Sequence, residues 1–363
     1  MLRAAGLGDL VFALPALAAL RSAYPGAEIV LLGDRWHSDF LASRPGPVDR
    51  VVTVPGGLEG IEGGVGGGGD TGGELAVFFE RMRGERFDVA IQLFGGGRHS
   101  NPFVTRLGAG LTVGAKGADA PDLDRCIPYV YYQSEIIRCL EICSLLGVEW
   151  AKPEAELALT EADLAETPSE LAGAAAIVAV HPGAGAPRRR WPPARFARVA
   201  DELAVQGATI ALTGSGDERG LVASVVDAMT QPAINLAGRL SLGGLAGLYS
   251  LSTVVVSNDS GPLHLAHSVG AATVGIYWCG NVINGAPLSR TRHRPAISWV
   301  LDCPVCGVNC TEASCPHDAS FVEGARVEEV IEYTLELFAT RKSGVSEPSS
   351  PQGGFGLEGI SRA

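Results

Sequence analysis

An α/β protein of two doubly wound domains facing a central cleft is what three features of this 363-residue chain predict. Short valine- and alanine-rich runs alternate with longer segments of helical apolar spacing, and the alternation occurs in both halves of the chain. Several of the runs stop abruptly in glycine and small polar residues, the chemistry of a strand handing over to a helix. The length is enough for two substantial cores.

In the first half, AEIVLLG (27–33) and FDVAIQLF (87–94) read as buried parallel strands, and LVFALPALAALRSAYP (10–25) and SEIIRCLEICSLLG (134–147) as helices that stop at Pro or Gly. Only MLRAA precedes Gly6, so either the first strand is unusually short or the start is trimmed or misassigned. GGLEGIEGGVGGGGDTGG (56–73) reads as a mobile surface loop. After a polar segment at 152–173, AAAIVAV (174–180), ATIALTG (208–214), PAIN (232–235), TVVVSN (253–258) and AATVGIY (271–277) read as strands. Their crossover helices are expected at 194–207, 218–229 and 241–251. The domains are therefore placed at 1–160 and 172–340, with a disordered tail over 341–363.

Composition excludes some classes. A net charge of −12 offers no general basic field for nucleic acid. The apolar stretch 10–20 is flanked by Asp9 and Arg21 and contains Pro15, which suits a buried helix better than a signal peptide. No run reaches the ~20 apolar residues that span a bilayer. A soluble cytoplasmic protein is expected.

GLGD (6–9) has Val11 where a dinucleotide fingerprint needs its third glycine, which argues against a nicotinamide site. Asp9, at a helix start on the carboxyl edge of a sheet, suits a general base or a simple cap. In HPGAGAPRRRWP (181–192), Gly183 and its neighbours let backbone N–H groups approach an anion. Arg188, Arg189 or Arg190 could add charge, unless the run is a solvated turn. In VSNDSGPLH (256–264), Ser260 can cap a helix, Gly261 permits close approach, Pro262 suits the first helical position and His264 falls in the first turn. That is an anion site, and Asp259 is its misfit; it should hold a sugar hydroxyl or a backbone amide. Glu218, in GSGDE, could accept from ribose hydroxyls or serve as a helix-start acid. DLD (122–124) has the look of a manganese pair but sits in a loop. Cys303, Cys306, Cys310 and Cys315, with His317 close behind, could enclose a structural zinc, or remain thiols or partial disulfides.

Taken together, GLGDLVFALPALAALRSAYPGAEI, HPGAGAPRRRWP, GSGDE and SNDSGPLHLAHSVGAATVGIY resemble glycosyltransferase family nine, the lipopolysaccharide heptosyltransferases and their relatives, over about residues 3–335. The cysteine cluster is similar to one that recurs in the family. The resemblance implies a GT-B fold and inverting transfer from a nucleotide-sugar donor, ADP-heptose or similar, to a glycan or glycolipid acceptor. It implies no catalytic metal, so zinc would be structural only, and peripheral contact with the inner face of the cytoplasmic membrane. It assigns Asp9 as base, Glu218 to the nucleoside, and Asp259, Ser260, Gly261 and His264 to the diphosphate and sugar. Arg189 stands where the family has a phosphate-binding lysine, and a planar guanidinium is not equivalent to an ammonium. Acceptor contacts are expected in the first domain at Arg98 and His99, where ordinary loop residues are the alternative. Two other readings stand beside the transferase: a nucleotide-sugar epimerase of the same fold, and a non-catalytic nucleotide-sugar-binding or zinc module.

Overall fold

The computed structural model describes residues 1–57, 61, 71–150 and 152–342. The tail expected from 341 lies outside them except for its first two residues, which end a helix, and so does most of the glycine-rich stretch at 56–73.

The first sheet has five regular strands, β1 (Val30–Gly33), β2 (Arg50–Thr53), β3 (Val89–Ile91), β4 (Leu111–Lys116) and β5 (Arg125–Pro128), all pairing in parallel. The place of a first strand is held by a single residue. Leu2 bridges Leu32 on one side and Gln92 on the other, and its N–H donates to Ile91 O at 2.8 Å. With Leu2 counted as strand one, the spatial order is 3-2-1-4-5-6. Helices α1 (Leu7–Ala23), α2 (Arg35–Leu41), α3 (Thr71–Gly84), α4 (Ser100–Thr105) and α5 (Glu135–Ser144) lie among these strands in the chain.

A short helix, α6 (Glu161–Ala165), is capped reciprocally by Thr160 and Asp163 and leads into the second sheet. Its strands are β6 (Ile177–His181), β7 (Thr209–Leu212), β8 (Ile234–Asn235), β9 (Val254–Asn258), β10 (Ala272–Trp278) and β11 (His293–Ser298), all parallel. Their order, β8-β7-β6-β9-β10-β11, repeats the 3-2-1-4-5-6 pattern. Every residue of β6 and β9 is buried, which is why IVAV and VVV read as continuous apolar runs rather than alternating ones. The helices are α7 (Pro193–Val205), α8 (Arg219–Ala228), α9 (Leu242–Leu251), α10 (Gly261–Ser268), α11 (Cys279–Gly285) and α12 (Val327–Lys342).

One apolar core runs from α1 and α5 across to β6, α9 and α10, so the two halves are packed together beneath the cleft. Arg44 adds a buried two-point ion pair to Asp163, at 2.6 and 3.0 Å. Several elements had no legible pattern: β2, β4, β5 and β11 mix apolar with polar or proline residues, and α4 and α11 have at most two turns. Among the described residues no helix is long and apolar enough to cross a membrane.

Candidate active site

In a 3-2-1-4-5-6 sheet the chain diverges between strands one and four, leaving a crevice at their carboxyl ends. Both crevices open on the same place here.

In the second sheet, β6 and β9 part after the pair His181 and Ser257. Asn258 then holds the departing loop at both ends. Its Nδ2 donates to Pro182 O at 2.7 Å, and its Oδ1 accepts from Trp191 N–H at 3.0 Å. Between these anchors the arginines turn on Pro187–Arg189 and diverge. Arg190 donates to Ala184 O, Arg188 turns to the cysteines, and Arg189 alone reaches the cleft, with Nη1 3.4 Å from Asp259 Oδ2.

Asp259 is buried, and its carboxylate is held by three side chains: Arg189, Asn281 Nδ2 at 2.7 Å, and His264 Nε2 at 3.3 Å. Burial acts to raise this carboxyl, but the hydrogen bond and charge of His264, with Arg189 and Asn281, outweigh it and hold it below its ordinary value. Where a sugar hydroxyl or a backbone amide was expected, the Asp259 carboxylate meets the side chains of Arg189, His264 and Asn281. The α10 start differs in detail from expectation. Ser260 occupies the cap position, yet its hydroxyl lies 3.3 Å from Ser257 Oγ and makes no bond to a helix amide. Gly261 is the first helical residue and Pro262 the second.

Gly261 is needed for contact between the halves. A Cβ there would lie 2.8 Å from Leu7 Cβ and 3.2 Å from Gly8 N, and one at Gly8 would lie 3.0 Å from His264 Cδ2. The starts of α1 and α10 therefore abut, and Phe12 sits over the His264 ring at 4.5 Å.

Asp9 stands in the first turn of α1. Its Oδ2 accepts from Gly6 N–H at 3.2 Å, and its Oδ1 pairs with Arg3 Nη2 at 2.8 Å. Cap and cleft residue are thus the same side chain. Arg3 is buried; it also donates to Leu93 O and lies 3.4 Å from Glu135, which in turn pairs with buried Arg138.

A cavity of about 370 Å³ joins these parts. Asp9, Gly8 and Phe12 line one side, and Arg189, Asp259, Ser260, Gly261, His264 and Asn281 the other. Gly183 and Glu218 are not on this lining, although they meet beside it. A Cβ at Gly183 would run into the Glu218 carboxylate, which also accepts from Ser215 N–H at 2.8 Å. Gly183 is a glycine to admit Glu218. Behind them His181 is buried against Thr213, and burial pushes it down to about 4, with Glu218 opposing.

Arg98 and His99 do not line the cavity. Arg98 is exposed and lies 3.5 Å from Asp119, and His99 precedes α4. The DLD acids are engaged structurally, Asp122 with Lys116 and Asp124 with the amide and hydroxyl of Thr112, each at 2.7 Å for Asp124.

Of the cysteine set, the ligand atoms of Cys303, Cys306 and Cys315 lie with that of His317 within 4.8 Å of one another, and Cys310 Sγ lies beside them, 3.8 Å from Cys315 Sγ and 3.3 Å from Arg188 Nη2. Three thiols and an imidazole are a donor set that suits tetrahedral zinc. The His317 backbone N–H, with the neighbouring thiols and against burial, brings the Cys315 thiol down to about 7, toward the thiolate that a metal requires.

Arg3, Asn258 and Asn281 were not singled out from the sequence. Arg3 had a signal, a lone charge in an apolar first strand; Asn258 and Asn281 had none before their partners were known.

Residues 75–293 match the model of glycosyltransferase family 9 (heptosyltransferase). Lipooligosaccharide heptosyltransferase 2 of Haemophilus influenzae is 33% identical over 112 residues, 30% of this chain and 32% of that enzyme. Lipopolysaccharide heptosyltransferase 2 of Escherichia coli K12 is 22% identical over 304 residues, 78% of this chain and 83% of that one. The structure of E. coli ADP-heptose LPS heptosyltransferase II shares the fold with a TM-score of 0.72 and 18% identity, covering 94% of this chain and 98% of that chain.

Proposed function

The chain belongs to glycosyltransferase family 9, and from that premise we propose that it is an inverting transferase moving heptose or a similar sugar from an ADP-sugar to a glycan or glycolipid hydroxyl. The observation that carries this reading is the single cavity in which Asp9 faces Arg189 and the start of α10. One wall presents a carboxylate, the other a guanidinium and the start of a helix. A base and a site for a departing diphosphate are what this reaction needs.

Asp9 takes the proton of the acceptor hydroxyl as its oxygen attacks the anomeric carbon. The bond from that carbon to the diphosphate oxygen breaks on the opposite face, so configuration inverts. The charge that develops on the leaving diphosphate is met by Arg189 and by the amides at the start of α10, without a catalytic metal. Glu218, beside the cavity, takes the ribose, which puts the nucleoside over β7. Asp259 keeps Arg189 and His264 in place and turns toward the sugar only through them. Gly8 and Gly261 let the two walls meet closely beside the reacting atoms, and further closure on the donor would exclude water there. The domain limits 1–160 and 172–340 belong to this reading, as does work on the cytoplasmic side of the membrane, where the acceptor would be met at the surface.

A thermal-shift panel of ADP-, GDP-, UDP- and dTDP-sugars tests it, because a ligand that binds only the folded state raises its stability. ADP-sugars should raise the melting temperature most, and labelled ADP-heptose incubated without acceptor should not be converted to another sugar nucleotide. Conversion to an epimer would instead favour the epimerase.

A further inference from the structure

We propose that metal occupancy of the Cys303, Cys306, Cys315 and His317 cluster controls how tightly the arginine turn grips a diphosphate, with Arg188 as the positioning residue between them. The proposal rests on the functional reading above for the identity of the ligand at Arg189.

The cluster and the turn are built against each other. Arg188 Nη2 lies 3.1 Å from Cys315 Sγ and 3.3 Å from Cys310 Sγ, and its guanidinium stacks on the Phe321 ring at 4.7 Å. Phe321 N–H donates to Arg188 O and Ser320 Oγ to Arg190 O, both at 2.8 Å. The residues just beyond the cluster therefore form the floor of the turn on both sides of Arg189. Residues 299–326 contain no helix or regular strand, and turn bonds such as Cys303 N–H to Val308 O and Cys310 N–H to Leu301 O shape them instead. A zinc ion bound by three thiolates and an imidazole would tie Cys303 and Cys306 to Cys315 and His317 and so fix the side of the segment that Arg188 meets.

It would also make Cys315 a fixed anion. The Arg188 guanidinium then becomes an outer-shell partner of the metal through a charge-assisted bond. Held there, Arg188 stays on the cysteine side of a hollow of about 520 Å³ that both arginines line, while Arg189 stays with Asp259. Without the ion, Cys315 Sγ is no longer fixed by coordination, Arg188 loses a held partner, and Arg189 loses its fixed approach to the diphosphate.

Such coupling is reciprocal: zinc must tighten ADP binding by the same factor by which ADP tightens zinc binding. ADP affinity is measured calorimetrically on zinc-loaded and chelator-stripped protein, and zinc affinity by chelator competition with and without ADP. Both ratios should be about tenfold. Zinc-loaded Arg188→Met should keep one zinc per chain yet bind ADP about as weakly as stripped protein, and Arg188→Lys should recover part of the loss. Equal ADP affinity in loaded and stripped protein, full affinity in zinc-loaded Arg188→Met, or failure to bind one zinc per chain each overturns the proposal. If stripped protein unfolds, the Arg188→Met comparison alone decides it. Absence of ADP binding to the loaded parent protein would instead sink the functional reading, and the coupling with it.

Discussion

The two halves of the molecule share a strand order and use the same ion pair in opposite senses. At the first crevice Arg3 is the buried member, 2% exposed, and Asp9 the presented one, 40% exposed. At the second, Asp259 is buried, 7% exposed, and Arg189 is presented, 35% exposed. One topology thus offers a carboxylate from one side of the cavity and a cation from the other. The difference lies in which partner the fold hides: Arg3 comes from the short first strand and is held by Leu93 and Glu135, whereas Asp259 follows β9 and is held by His264 and Asn281.

Removing the buried partner should hurt most. Asp259→Ala lets Arg189, 35% exposed, regain water but leaves buried His264 and part-buried Asn281 without their acceptor, and should cost roughly 1–3 kcal/mol in urea unfolding. Asp9→Ala should cost clearly less, because Glu135 still faces Arg3. Equal losses would mean that the two pairs are not inverted in burial as described.

The pH dependence comes next. Burial holds His37, His181 and His267 each down to about 4 from an ordinary 6.5. The folded state therefore binds these protons more weakly than the unfolded chain, and the stability they contribute is complete above about pH 6.5 and is lost as pH falls toward 4. Urea midpoints measured across that window should fall steadily. A flat profile would show that these rings titrate normally in the folded protein.

The smallest effect is expected at Arg98. Arg98→Ala removes an exposed pair with Asp119, worth about 0–1 kcal/mol, and should leave ADP binding unchanged. A larger change in transfer than in binding would return Arg98 to the acceptor side.

The alternation of valine runs and helical segments made five of the second sheet's six strands readable nearly to their boundaries, β11 excepted, and the clearest of them, β6 and β9, are buried along their whole length. The first sheet was harder, since its leading strand is one residue, Leu2, and β4 and β5 carry polar residues. Within the site, Asp9, Asp259, Gly261 and His264 were singled out at helix starts after strands, whereas Arg189 was chosen among Arg188, Arg189 and Arg190 only by the family resemblance. What each one touches was not legible. Asp259 meets Asn281, 22 residues on, and Cys310 and Cys315 meet Arg188, more than 100 residues earlier. Such pairings are decided by packing, which spacing along the chain does not encode.

The inverted pairs should separate kinetically. Asp9→Asn and Arg189→Met, assayed side by side for transfer and for ADP affinity, test this most directly. Asp9→Asn should lower kcat by about 10²–10⁴-fold while ADP affinity stays within about twofold. Arg189→Met should weaken ADP binding as well as transfer. Full transfer activity in Asp9→Asn, or unchanged ADP affinity in Arg189→Met, would contradict the assignment of base to one wall and diphosphate site to the other.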